Sequence, residues 1–508
     1  MSLFSRSVVA RDCLCLLDDH APILLEEVIE MENLFGRMEI VSAVDEITHD
    51  NVVDVLTRAL AVHSVNSEQI DYLWRYMRGE QPILLRKKTI RPEICNRIVE
   101  NHAAEIAQFT SAYFLGEPVT YVRRGDRKST SKEISLLNDY MFFEDKASHD
   151  KDIATWMAVC GVGYRMILPD KDSGETEVDY APFELDTPDP RFTFVVYHSG
   201  FGHKRLMGVR QIFREIAPYD VKMLCAVYTK DMYYEIEDGV IKVERPHVLG
   251  DIPIFEYRLN MARMGSFEAA IPLLDGINTI MSNRVDGVEQ FVQSFLKFVN
   301  CEIEESTVSK IRELGAIVIK SLPGMQSDVN IVSQELNQEQ TQTLVDYLYD
   351  QVLVICGMPT TTKGGSSTSD TGSAVLLRDG WTQCEARARD TELLFKRSEK
   401  QFLRLALRLI RSTRPFNLTL SEVECKFTRR QHDNLQTKTQ ALLQMLQAGL
   451  APEVAIATSG LFNDPMDVTA QSEEYLKKWE YRDPLEGLME EDNDDVEDEN
   501  GDVEEDET

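Results

Sequence analysis

The sequence predicts an α+β chain that is mainly helical. Three observations carry that prediction: apolar residues at helical spacing over several long stretches, a middle region of β-rich runs with a hairpin signal, and a loop dense in Gly, Ser and Thr between two of the helices. At 508 residues the chain is too long for one simple core, so a multi-part, elongated subunit is expected.

In chain order, the first ~160 residues read as helical. Within them, Pro92 to Leu115 places Ile94, Ile98, Ala103, Ile106, Phe109 and Tyr113 at helical spacing, with Pro92 near the start and Gly116 just past the end. From Tyr164 to Tyr257 the pattern changes to short β-like runs such as Phe192 to Tyr197, and Met232 to Glu244 sets Asp238-Gly239 between two β-rich arms. After Gly265, the residues Phe267, Ile271, Leu274, Ile277, Met281, Val285, Val288, Val292 and Phe295 recur by threes and fours. That spacing predicts one helix from Phe267 to Phe298, about 48 Å long at 1.5 Å per residue. Glu268, Asp275, Asp286 and Glu289 read as its other face, turned to solvent.

Cys301 to Ser333 reads as a small mixed module, with Leu314 to Lys320 as a strand and Pro323-Gly324 as a turn. A second helix is expected over Gln334–Cys356. Gly357 to Gly372 has nothing to anchor it in a core, so a mobile loop is expected there. Ser373 to Arg411 reads as a third long helix rich in Arg, including Arg387, Arg389, Arg397, Arg404 and Arg408. A strand at Val423–Phe427 and helices around Leu435–Ala448 and Pro452–Thr458 close the folded part.

Composition narrows the function classes. No apolar run approaches the roughly 18–20 residues of a membrane span. The stretch Cys13 to Leu17 is cut off by Asp18 and Asp19, too short for a secretory signal, so the chain is expected to stay in the cytoplasm where it is made. Nine cysteines without a C-x-x-C pair argue for reduced thiols and against a structural zinc. The balance of 54 Lys+Arg against 86 Asp+Glu gives net −32, opposite in sign to a protein that grips DNA by neutralising phosphates. Glu490 to Glu507 holds thirteen acids and no Lys or Arg, which predicts a disordered tail that solubilises the chain. Without it the chain is still acidic.

Enzyme chemistry finds little support. Lys363-Gly-Gly-Ser-Ser lacks the G-x-x-x-x-G-K-[ST] order of a phosphate loop. Gly161-Val-Gly163 is a fragment of a dinucleotide fingerprint, and a tight backbone approach explains it better. His198, His203 and His247 fit no metal-ligand spacing, and a solvated helix face is a plainer reading of the acids than a two-metal nuclease site.

Several blocks carry a family resemblance: Arg75-Tyr-Met-Arg-Gly-Glu-Gln-Pro-Ile-Leu84, Asn96-Arg-Ile-Val99, Tyr113-Phe-Leu-Gly-Glu-Pro-Val-Thr120, Gly161-Val-Gly-Tyr-Arg165, Leu249-Gly-Asp-Ile-Pro-Ile-Phe255 and Leu273-Leu-Asp-Gly-Ile-Asn278. In this order, with the run of long helix, small module, long helix, loop and long helix, the chain resembles the portal proteins of tailed double-stranded DNA bacteriophages over nearly its whole length. Glu117, where many relatives are basic, and the acidic tail depart from the pattern.

The resemblance implies an elongated portal fold assembling into a ring, usually of twelve subunits, at the portal vertex of the virion. Carried onto this chain, residues 1–265 form the wing, 266–298 and 334–357 the stem, 299–333 the clip, 358–372 the tunnel loop, 373–412 a long wing or crown helix, 413–482 the crown and 483–508 the tail. It implies that Thr360, Thr361, Thr362, Lys363, Gly364, Gly365, Ser366 and Ser367 face DNA, that Glu268, Asp275, Asp286 and Glu289 line the channel, and that Glu304, Glu305 and Arg312 belong to a docking surface. The implied partners are the terminase large subunit, a head-completion adaptor, the major capsid and scaffolding proteins, and double-stranded DNA, with no membrane, no cofactor and no catalysis. The alternatives are another oligomeric phage head or tail structural protein without a DNA channel, or a DNA-packaging nuclease.

Overall fold

The computed structural model describes residues 36–89, 91–124, 131–170, 180–217, 220–292, 338–359, 381–427 and 435–462, with the pieces 295–299, 301–302, 320–321 and 328–332 and positions 465, 468, 469 and 472. The described chain runs β1 (Val41–Ser42), α1 (Val52–Met77), α2 (His102–Phe114), β2 (Thr120–Arg123), α3 (Ser131–Phe143), α4 (Lys146–Cys160), β3 (Val162–Pro169), β4 (Phe183–Asp186), β5 (Thr193–His198), β6 (Arg205–Ala217), β7 (Asp220–Tyr228), β8 (Met232–Glu237), β9 (Val240–Pro246) and β10 (Ile254–Arg258). It continues with α5 (Ile271–Val292), β11 (Phe295–Val299), β12 (Cys301–Glu302), β13 (Lys320–Ser321), β14 (Asp328–Val332), α6 (Gln338–Cys356), α7 (Trp381–Thr413), β15 (Val423–Lys426), α8 (Leu435–Gln447) and α9 (Pro452–Ser459). The fold is mixed α/β and about half helical.

Two compact units divide the chain: Met1–Gly116 with Met141–Arg414, and Glu117–Tyr140 with Pro415–Thr508. In the first, a six-stranded sheet in the order β1-β5-β6-β7-β8-β9 is antiparallel except for the parallel pair β1–β5. Val52, Val55, Leu56 and Ala59 of α1 share a core with Phe194, Val196, Met207, Val209, Cys225 and Val227 of the sheet. The expected hairpin forms between β8 and β9, with Asp238 and Gly239 both at positive φ, as a two-residue turn matched to strand twist requires. A second core joins α1, α2, α4, α5 and α6 around a three-stranded sheet, β10-β3-β4. Gly161 ends α4 at φ +83°, and a Cβ there would lie 2.3 Å from the Arg263 carbonyl carbon and oxygen, so the first glycine of the fingerprint fragment serves a close backbone approach.

In the second unit β2 pairs antiparallel with β15, and Asn138 closes a side-chain bridge to both backbone groups of Tyr121. Thr419 and Glu422 form a capping box ahead of β15. The segment 413–482, read as a part of its own, thus shares its unit with residues drawn from the 1–265 segment.

Two predicted helices are shorter than their periodicity implies. Residues 92–101 are not helical, and α2 starts at His102, because the chain ahead of it takes its hydrogen bonds from side chains of α5. The long helix from Phe267 opens as a 3-10 turn, Glu268–Ala270, and ends at Val292, which leaves α5 about 33 Å long. Phe295–Val299 instead pairs as a strand with Asp328–Val332, as its β-branched and aromatic residues favour. Most of the small module, the Gly-Ser-Thr loop beyond Pro359 and the acidic tail lie outside the described residues.

Candidate functional site

The long helices α5, α6 and α7 are the frame on which a functional surface would be built. At the head of α5, Glu268 is a buried anchor: its carboxylate accepts from Arg37 Nη2 at 2.6 Å, from the Gly36 backbone N–H at 3.0 Å and from the Gly265 N–H at 2.8 Å. One turn into the helix, Asp275 accepts from the Tyr76 hydroxyl at 2.9 Å. Burial pushes the Asp275 carboxyl above the usual range against that hydroxyl's pull.

Further along, three fully buried polar residues, Asn278, Ser282 and Asp286, stand four residues apart. They accept the backbone N–H groups of Glu100 at 2.8 Å, Ile98 at 2.9 Å and Asn96 at 2.7 Å. The spacings match physically: four helical residues rise about 6.0 Å, while two extended residues span about 6.6 Å. An extended strap can therefore dock antiparallel to a helix with alternate N–H groups satisfied by side chains. Asp286 also pairs with Lys88 at 2.5 Å and Arg86 at 3.1 Å. Burial alone would raise its carboxyl, but hydrogen bonds from Lys88 and Asn96 hold it below the ordinary carboxylate value.

Helix α6 packs Val345, Val352, Leu353 and Cys356 into the core with α5. A second arc carries Leu344, Tyr347, Val354 and Ile355, all exposed, and a third carries Glu339, Asp346 and Asp350. No Lys or Arg occurs on this helix.

Helix α7 reverses that arrangement. Its last acid, Glu399, is fully buried, paired to Lys146 at 3.1 Å and Arg165 at 3.1 Å and accepting from the Tyr257 hydroxyl at 2.6 Å. Asp150 completes a neutral set of two cations and two anions by pairing with Lys146 at 2.6 Å and with Arg165. Outside, Arg397, Lys400, Arg404, Arg408 and Arg411 are exposed on one face, and after Glu399 the helix has no acid.

The expected acidic, solvent-facing side of the Phe267 helix is corrected by these contacts. Glu268 and Asp286 are buried because Arg37, Arg86 and Lys88, on distant segments, reach them, and Asp275 is half-buried against Tyr76. Only Glu289 of the four is exposed. Thr360, Thr361, Thr362, Lys363, Gly364, Gly365, Ser366, Ser367, Glu304, Glu305 and Arg312 lie outside the described residues. The histidines singled out have hydrogen-bonding or ionic partners: His203 Nε2 sits 2.9 Å from Glu39, His247 Nε2 3.0 Å from the Thr229 carbonyl, and His198 Nε2 3.5 Å from Asp45. Among the described residues no group of three or more His, Cys, Asp or Glu is placed to hold a metal, and no helix is long and apolar enough to cross a membrane. The strap along α5 and the buried charge set were missed from sequence. The four-residue spacing of Asn278, Ser282 and Asp286 was the signal available for the first, and Arg165 in a hydrophobic strand for the second.

Comparisons with known proteins bear on this frame. Residues 58–481 match the family model described as phage portal protein, SPP1 Gp6-like. No curated protein matches. Among solved structures, a chain from the neck of an empty GTA particle computed with C6 symmetry shares 12% identity at a TM-score of 0.42, over 71% of this chain and 90% of that one. A likeness so distant adds no weight of its own.

Proposed function

The chain belongs to the phage portal proteins of the SPP1 Gp6-like family, and from that membership we propose that it forms the ring-shaped channel at the portal vertex of a capsid through which double-stranded DNA is packaged, retained and ejected. The family match over residues 58–481 carries the reading. The exposed apolar arc of α6, Leu344, Tyr347, Val354 and Ile355, supports assembly, because a second copy would cover it. In this reading α5 and α6 are the stem, residues 299–333 the clip that docks terminase and then the head-completion adaptor, and residues 358–372 the tunnel loop, with Lys363 following the phosphate backbone. Of the four acids first assigned to the channel wall, Glu289 is the one free to serve there.

Negative-stain microscopy and light scattering of the purified protein test the ring. Closed rings with a central channel are the expected result, and a species of 58.0 kDa at micromolar concentration across salt conditions would count against it. Substituting Glu304, Glu305 and Arg312 should leave rings intact and impair partner docking, whereas trimming Gly364–Ser369 should reduce packaging or retention without preventing assembly.

A further inference from the structure

We propose that the cationic face of α7, Arg397, Lys400, Arg404 and Arg408, docks on the acidic arc of α6, Glu339, Asp346 and Asp350, of a second copy of this chain. The inference rests on the ring reading and supplies the charged contact that closes it.

The two faces are complementary and, among the described residues, carry no ion pair within one chain. Arg397, Lys400 and Arg404 are exposed and make no ion pair among the described residues, and Arg408 gives one N–H to the Leu249 carbonyl. On α6, Asp346 accepts only from Gln342, and neither it nor Asp350 nor Glu339 meets a cation among the described residues. The buried acids of the long helices are by contrast paired, Glu268, Asp286 and Glu399 included. Two single-sign helix faces without an ion pair among the described residues are therefore available to a partner of opposite charge.

The lengths of the two rows agree. From Arg397 to Arg408 and from Glu339 to Asp350 are eleven residues each, so both charge rows run about 16 Å. Each row lies on the same helix as exposed apolar side chains, Leu393 on α7 and Tyr347 and Val354 on α6, which would seal the contact. The patches differ, so the interface is heterologous and propagates head to tail, as ring closure requires.

A nucleic-acid occupant fits less well. Subunits of net −32 repel one another on assembly, and a cationic face opposite an acidic one offsets that repulsion. The same cations on a sliding duplex would instead neutralise phosphates in every subunit and create a salt-dependent binding minimum.

The test compares wild type, Arg397→Glu/Lys400→Glu/Arg404→Glu, Asp346→Lys/Asp350→Lys, and the two sets combined, by light scattering and negative stain at ~0.1 M and ~1 M salt, where the Debye length falls from about 10 to 3 Å. Circular dichroism melts of each variant confirm a folded subunit. The expected result is that either reversal alone leaves mostly monomer and the combined variant regains rings. Copies with only the reversed α7 face should also cap wild-type assemblies into open fragments when mixed, since their α6 face is intact. High salt should weaken wild-type assembly. Rings unaffected by the α7 reversal, or a combined variant that stays monomeric, would overturn the proposal. So would loss of duplex-DNA binding with rings unchanged, which would assign the face to nucleic acid. A wild type that is itself monomeric defeats the ring reading first, so the two failures are distinct.

Discussion

The acids of α5 and the cations of α7 look alike as helix patterns: each is the polar side of an amphipathic helix. In the fold they have opposite fates. Glu268 and Asp286 are buried against Arg37, Arg86 and Lys88, whereas Arg397, Lys400 and Arg404 remain exposed. The difference lies in the rest of the chain. Segments 36–37 and 86–100 bring cations and unpaired N–H groups to α5, and an extended strap must have its donors satisfied. Arg397, Lys400 and Arg404 on the outer face of α7 meet no anion among the described residues, and Arg408 there gives one N–H to the Leu249 carbonyl. A polar helix face is therefore solvent-facing only when no other segment needs its hydrogen bonds.

The largest way to break this comparison is on the inner side of α7. Glu399→Ala leaves Lys146 and Arg165 without one anion in a fully buried site, and should cost about 3–5 kcal/mol in urea unfolding, since removing one partner strands the others. A loss below about 1 kcal/mol would mean that the set is wetter than its burial indicates.

Next in size is the strap. Ser282→Ala removes the acceptor of the Ile98 N–H and leaves a buried donor unpaired, at a cost of about 1–3 kcal/mol. Hydrogen exchange at Ile98 should quicken more than at residues of α2. Equal quickening throughout would indicate global destabilisation rather than release of the strap.

Titration sharpens the contrast within α5 itself. The Asp286 carboxyl lies below its unfolded value of 3.8, so its contribution is fully present above that pH and is lost as pH falls through the lower folded value. Asp275 lies above 3.8, so its ionised form weighs against the fold at neutral pH and that penalty lifts as pH falls through the raised value. Asp286→Asn should accordingly flatten the loss of stability below pH 4, while Asp275→Asn should remove a gain on acidification. If both variants shift the pH profile in the same direction, the two environments are not opposed.

How much of this was legible in sequence follows from the same physics. The β8–β9 turn at Asp238-Gly239 and the existence of α5, α6 and α7 were readable because turn chemistry and apolar period are local. The ends were not. Phe295–Val299 extends an apolar period that suits a helix, and only pairing with Asp328–Val332, some thirty residues on, makes it a strand. Ile94 and Ile98 likewise sit at helical spacing, yet the backbone between them is claimed by Ser282 and Asp286, nearly two hundred residues away. Portal membership was readable because short blocks in fixed order outlast such local ambiguity. Burial of Glu268 and Asp286 depends on partners far away in sequence, which a helical wheel does not contain.

The smallest predicted effect is the most discriminating for α7. In dilute subunits, where no second copy is present, Arg404→Ala removes an exposed side chain with no ion-pair partner among the described residues and should change unfolding stability by no more than about 0.5 kcal/mol. The residue is exposed. Glu399, five residues earlier on the same helix, should differ from it several-fold in the same measurement. The two positions separate what α7 does for its own subunit from what its outer face is free to do for another molecule. Were Arg404→Ala to cost as much as Ser282→Ala, the outer face would already be engaged within the chain. The asymmetry between buried acids and exposed cations would then describe the helix pattern and not its energetics.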